Sequence, residues 1–175
     1  MDIDQMIEEF RKQDYTHFDD FYQLTSKQIY FSAITIVKDH ALAEDILQET
    51  YLSFLNHLSQ YKKGANIYAY LSIIARNKSI NLYKQQKRTI QNDEMLVQTS
   101  DQDPYGNSRI QTILHLLDSQ IEQEIVTYHA IFEYKFHEIS KIVQKPLGTV
   151  LWIYNKANSY EDFEKLIGQQ IGVSD

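Results

Sequence analysis

A chain of 175 residues has room for one domain or two small ones. It contains no cysteine, which excludes disulfides, thiolate metal sites and cysteine nucleophiles, while a 43% hydrophobic content is enough for a packed core. The net charge of −7 counts against a polyanion partner only as an average: Met1–Glu49 carries 4 basic and 11 acidic residues, Thr50–Asn92 carries 7 basic and none acidic, and Asp93–Asp175 carries 6 and 13.

With 5 Gly and 2 Pro, the chain is expected to be built of long helices with few tight turns. The N-terminal stretch MDIDQMIEEFRKQD is polar and acidic, unlike a secretory signal or an anchor. Apolar runs all fall short of the ~20 residues that span a bilayer, so a cytoplasmic protein without a membrane segment is expected. Phe18, Phe21, Tyr22, Ile29 and Ile36 mark an early helix or helix pair. In ALAEDILQETYLSFLNHL (Ala41–Leu58), Ala43, Ile46, Leu47, Thr50, Tyr51, Phe54 and Leu58 fall at i, i+3, i+4 and i+7 steps and share one face. Asp45, Gln48, Glu49 and Leu52 keep the same spacing on the other face, with Glu44 beside them.

The next helix is predicted from about Ile67 to Lys87, with Tyr70, Leu71, Ile74, Ile80 and Leu82 among its apolar positions. It carries Arg76, Lys78, Lys84, Lys87 and Arg88, a cationic island suited to phosphates. On charge alone, a solvated helix face fits equally well. Asn77 and Asn81 offer amides suited to base edges, and Tyr61 and Tyr68 rings for stacking; Tyr70 fits the core better. From Gln91 to Arg109 the chain is polar and acidic with Pro104 and Gly106, and reads as a linker. Helical periodicity returns at Ile110 and runs to about Ile171. There, a short helix Phe136–Val143, a turn holding Lys145 and Pro146, and a helix from Leu147 with Thr149 near its start have the form of a helix-turn-helix. The fold class is therefore all-α: two small helical domains, 1–90 and 110–171, joined by an acidic linker at 91–109.

Together these segments resemble the sigma-70 family of RNA polymerase sigma factors, in the small extracytoplasmic-function (ECF) type. AEDILQETYLSFL resembles the family helix that docks on the clamp of the polymerase largest subunit. YAYLSIIARNKSINLYKQQKR resembles the helix that reads and opens the minus-ten element, and FHEISKIVQKPLGTV the helix-turn-helix for the minus-thirty-five element. The resemblance implies polymerase-core contacts by Glu44, Asp45, Gln48, Glu49 and Leu52. It implies minus-ten DNA contacts by Tyr61, Tyr68, Arg76, Asn77, Lys78, Asn81, Lys84, Lys87 and Arg88. Upstream contacts would come from Lys145, Gly148, Thr149, Trp152 and Lys156. Polymerase core, promoter DNA and an anti-sigma factor are the implied partners, and no cofactor or metal is implied.

The chain departs from the family at Leu151, Trp152 and Ile153, where basic residues and a Ser are usual, and at Asn81, where Asp is usual. Leu147, Val150, Leu151 and Tyr154 are expected to form a buried stripe that leaves Trp152 and Ile153 outward. With fewer cations, this domain is expected to read DNA weakly or to pack against protein. About 19 linker residues reach roughly 63 Å when extended but average nearer ~25 Å as a coil. Promoter elements ~50–70 Å apart would need the tether nearly stretched. Catalysis is not expected: His137-Glu138 opens like H-E-x-x-H, but Lys141 holds the second ligand position, and no nucleotide-loop or nucleophile-elbow motif is present. The alternative is a sigma-derived regulator that binds polymerase or another regulator without directing initiation.

Overall fold

Asp2 and Gln5 start the first helix by a reciprocal cap: the Asp2 carboxylate accepts from the Gln5 amide at 2.8 Å, and the Gln5 side chain accepts from the Asp2 amide at 3.0 Å. In this computed structural model, which describes residues 2–90, 116–117 and 119–159, helix α1 (Ile3–Arg11) turns Met6, Ile7 and Phe10 inward. Sequence pattern alone did not single out this helix. Its last residue fastens it, since the Arg11 guanidinium donates to the carbonyls of Tyr61 (2.7 Å) and Leu58 (3.2 Å). Those carbonyls flank the short 3-10 turn Leu58–Gln60.

Helix α2 (Phe18–Val37) ends where Lys38 enters the left-handed region at φ 55°. Asp39 then caps α3 (His40–Asn56) by accepting from the Leu42 amide at 2.9 Å. Helix α4 (Ile67–Ile90) packs against both α2 and α3. The α3 face predicted to be apolar is buried from Ala43 through Phe54, with Leu58 just beyond. An aromatic cluster fills the centre. Phe21 stacks on Phe54 at 5.6 Å and meets the edge of Phe10 at 5.3 Å, while Tyr61 meets Tyr70 at 5.4 Å.

The chain divides into two compact units, Met1–Gln102 and Asp103–Asp175. The stretch expected as linker, Gln91–Arg109, lies outside the described residues, as do the expected helical ends at 110–115 and 160–171. In the second unit Ser119 and Glu122 form a capping box for α5 (Gln120–Val126), which runs into a π-helical turn, Thr127–Ile131. Helices α6 (Phe136–Val143) and α7 (Leu147–Asn158) follow. Buried Ile125, Ile139, Ile142, Val150 and Ile153 form the interior, with Leu117, Val126 and Ala157 clustered beside Tyr154. Every regular element among the described residues is helical, so the fold is all-α.

Candidate nucleic-acid interface

Burying one face of α3 displays the other. Glu44, Asp45, Gln48 and Glu49 are exposed, and Leu52 extends their stripe at 61% exposure. A large apolar side chain left in water within an acidic stripe is better suited to a protein surface than to solvent alone.

Helix α4 sorts its polar residues in the same way. Ser72, Arg76 and Ser79 lie at i, i+4 and i+7 on the face packed inward, and Arg76 is only 8% exposed. Arg76 therefore sits in the interior rather than on a phosphate-facing surface, which corrects the sequence expectation. Asn81, Lys84 and Arg88 are exposed, with half-buried Asn77 on the same stripe. Lys87 is also exposed, with its ammonium 4.9 Å from the centroid of the Tyr83 ring. Lys87 and Arg88 occupy the last turn, where the helix dipole favours cations. Lys78 is half-buried and its Nζ lies 3.1 Å from Glu49 Oε2 on α3. The helix expected to hold DNA and the helix expected to hold protein thus touch through charge.

Tyr61 is a second correction. It is 2% exposed, its ring wedged against Phe54 and Tyr70 and its hydroxyl donating to the Ala65 carbonyl. Burial first, and the Asp4 carboxylate second, push its phenol up to about 12, with Arg11 opposing. Tyr61 is a core residue, not a base platform. Tyr68 is half-buried and lines an open recess of about 410 Å³ with Asp2, Asp4, Gly64, Asn66 and Ile67. Gly64 makes the turn at φ 79°, a conformation that side chains resist. Lys62 and Lys63 beside it are exposed.

In the second unit Gln144, Lys145 and Pro146 link α6 to α7. Gln144 takes φ 54°, and the Ser140 hydroxyl holds the turn by donating to the Lys145 carbonyl at 2.6 Å. Lys145 is half-buried, and Gly148 and Thr149 are exposed at the start of α7. Trp152 is 65% exposed, as the pattern predicted, but the buried stripe differs. Val150, Ile153 and Ala157 point inward, while Leu147 and Leu151 are 44% and 37% exposed. The reason is Ala157, which packs with Val126 and Leu117 and turns Ile153, four residues before it, to the same side. Lys156 is also committed within the unit: its Nζ donates to Glu122 Oε1 at 2.7 Å, and the Glu122 side chain is 4% exposed. It acts as counter-ion to a buried carboxylate, although its own side chain is 45% exposed.

Residues 21–89, from within α2 to near the end of α4, match the family described as sigma-70 region 2. Over 132 residues the chain is 29% identical to the ECF RNA polymerase sigma factor SigM of Bacillus subtilis (strain 168), covering 71% of this chain and 80% of that relative. The chain carries a sigma-70 region 2 and is similar to an ECF sigma factor. The fold is shared with solved structures. The sigma factor RpoE, solved in complex with the anti-sigma factor NepR from Bartonella quintana, matches with a TM-score of 0.69 at 20% identity, over 86% of this chain and 96% of that one. CnrH, solved in complex with the cytosolic domain of CnrY, matches with a TM-score of 0.63 at 13% identity over 98% of each chain. The acidic stripe on α3 and the cationic end of α4 both lie within the sigma-70 region 2 of this chain.

Proposed function

We propose that this protein is a sigma factor that carries RNA polymerase core to promoters and begins strand opening, acting in the cytoplasm without catalysis of its own. The observation that carries this reading is the pairing, inside one sigma-70 region 2, of an exposed acidic stripe with an exposed cationic and amide stripe on the adjacent helix. Glu44, Asp45, Gln48, Glu49 and Leu52 engage a basic surface on the polymerase clamp through charge-assisted hydrogen bonds and one apolar contact. Lys84, Lys87 and Arg88 neutralise backbone phosphates of the minus-ten element, and Asn77 and Asn81 address base edges.

Tyr68, beside the recess, stacks on an unpaired base. One such stack is worth roughly 1–3 kcal/mol, against about 1.4 kcal/mol to break one base-pair step. This chain therefore starts melting, and polymerase completes it. Region boundaries of 1–90 and 110–171, with a tether at 91–109, fit this division of work.

A second reading applies to the second unit. Leu147, Leu151 and Trp152 form an exposed apolar face where cations would be needed for phosphates, and Lys156 is taken by Glu122. These features favour protein contact over tight upstream DNA contact by α7, with Lys145, Gly148 and Thr149 left for the backbone. An anti-sigma factor is a fitting partner, since the sigma factor RpoE matched in fold was solved with the anti-sigma factor NepR.

In vitro transcription with purified polymerase core and genomic fragments tests the proposal. Specific start sites that depend on the protein support it. Core binding without initiation would leave the regulator reading instead. Failure of Asp45→Lys with Glu49→Lys to weaken core association would overturn both.

A further inference from the structure

Glu49 and Lys78 are 29 residues apart, on α3 and α4, and each belongs to a different candidate surface. Their side chains meet at 3.1 Å, with Glu49 62% and Lys78 30% exposed. A carboxylate in that position lowers the usefulness of the ammonium to a phosphate: it neutralises the cation and repels the incoming anion. It also spends a carboxylate that the acidic stripe would otherwise offer to a basic partner. We infer that the Glu49–Lys78 pair is a latch that couples the two surfaces, so that polymerase, by taking Glu49, releases Lys78 to the DNA backbone. The inference rests on the functional reading above, because it assigns the released groups to those two partners.

The coupling is reciprocal. Whatever factor polymerase contributes to DNA affinity, DNA contributes to polymerase affinity. Its size is bounded by the pair itself. An exposed ion pair of this kind sustains a factor of about five at most. The latch thus biases the free protein away from DNA without blocking it.

The test uses the full chain without polymerase and a fluorescent single-stranded deoxyoligonucleotide of mixed sequence, read by anisotropy at low salt. Glu49→Gln is expected to tighten binding by up to about fivefold, and by more than the control below. Asp20→Asn, an exposed carboxylate on α2, controls for the change in net charge. With Lys78→Gln already in place, Glu49→Gln should give only the Asp20→Asn effect. Conversely, Lys78→Gln should tighten polymerase core binding by a similar factor when no DNA is present, beyond the effect of Lys27→Gln at an exposed α2 position. Equal effects of Glu49→Gln and Asp20→Asn, or a Glu49→Gln gain that survives Lys78→Gln, would overturn the latch while leaving the sigma reading intact. Absence of DNA binding by free protein and polymerase complex alike would remove the sigma reading and the latch with it.

Discussion

Trp152 and Ile153 are neighbours in the chain, yet one is 65% exposed and the other 7%. A single helical step of 100° separates water from core, and it decides which substitutions can add charge to α7. Leu151→Arg with Trp152→Arg should raise low-salt affinity for duplex DNA, each new phosphate contact steepening the log–log salt slope by about 0.9. Ile153→Arg should instead destabilise the second unit by roughly 3 kcal/mol, because an unpaired charge enters its interior; urea unfolding followed by circular dichroism separates the two outcomes. At Tyr61 the raised phenol has a definite sign. Between the ordinary value near 10 and about 12, the folded chain keeps a proton that the unfolded chain loses. Its contribution to stability is therefore complete below pH 10 and lost as pH rises toward 12. Urea midpoints measured across that interval should fall less steeply in Tyr61→Phe than in the parent chain.

At the scale of elements, polar groups are used to fix helices as well as to display them. Arg11 closes α1 onto the Leu58–Gln60 turn, and through it onto the loop that leads into α4. Lys156 ties α7 to α5 through Glu122, whose carboxylate also serves the capping box at Ser119. Removing the cation leaves that carboxylate buried without its 2.7 Å partner. Lys156→Ala should lower the stability of the second unit by about 1–3 kcal/mol, and pairing it with Glu122→Gln should recover part of the loss, as measured by thermal or urea unfolding. A purely DNA-contacting lysine would move affinity and leave stability unchanged.

Across the whole molecule, the net charge of −7 hides a distribution in which acids and bases are segregated by segment. Of the five cations expected on α4, Arg76 is buried and Lys78 is paired, so Lys84, Lys87 and Arg88 remain on the surface for phosphates. Three contacts to single-stranded DNA imply a salt slope of about −2 for the free chain, against nearly −3.5 if all five took part, at ~0.7 per phosphate; anisotropy titrations at several salt concentrations measure it. Helical class, the buried face of α3, its acidic stripe, the bounds of α6 and the start of α7 were all legible in the sequence, because each is written in local periodicity, caps and turn residues. Helix α1 was missed because its three inward residues are spaced by a short, polar segment and gain their meaning from the Phe10 contacts with Tyr15, Phe18 and Phe21. What only tertiary structure decided was the fate of individual polar groups. Arg76, Tyr61, Ile153, Lys78 and Lys156 all look available in one dimension, and whether each faces water, core or an opposite charge depends on which neighbouring helix lies across from it, information that no local pattern carries.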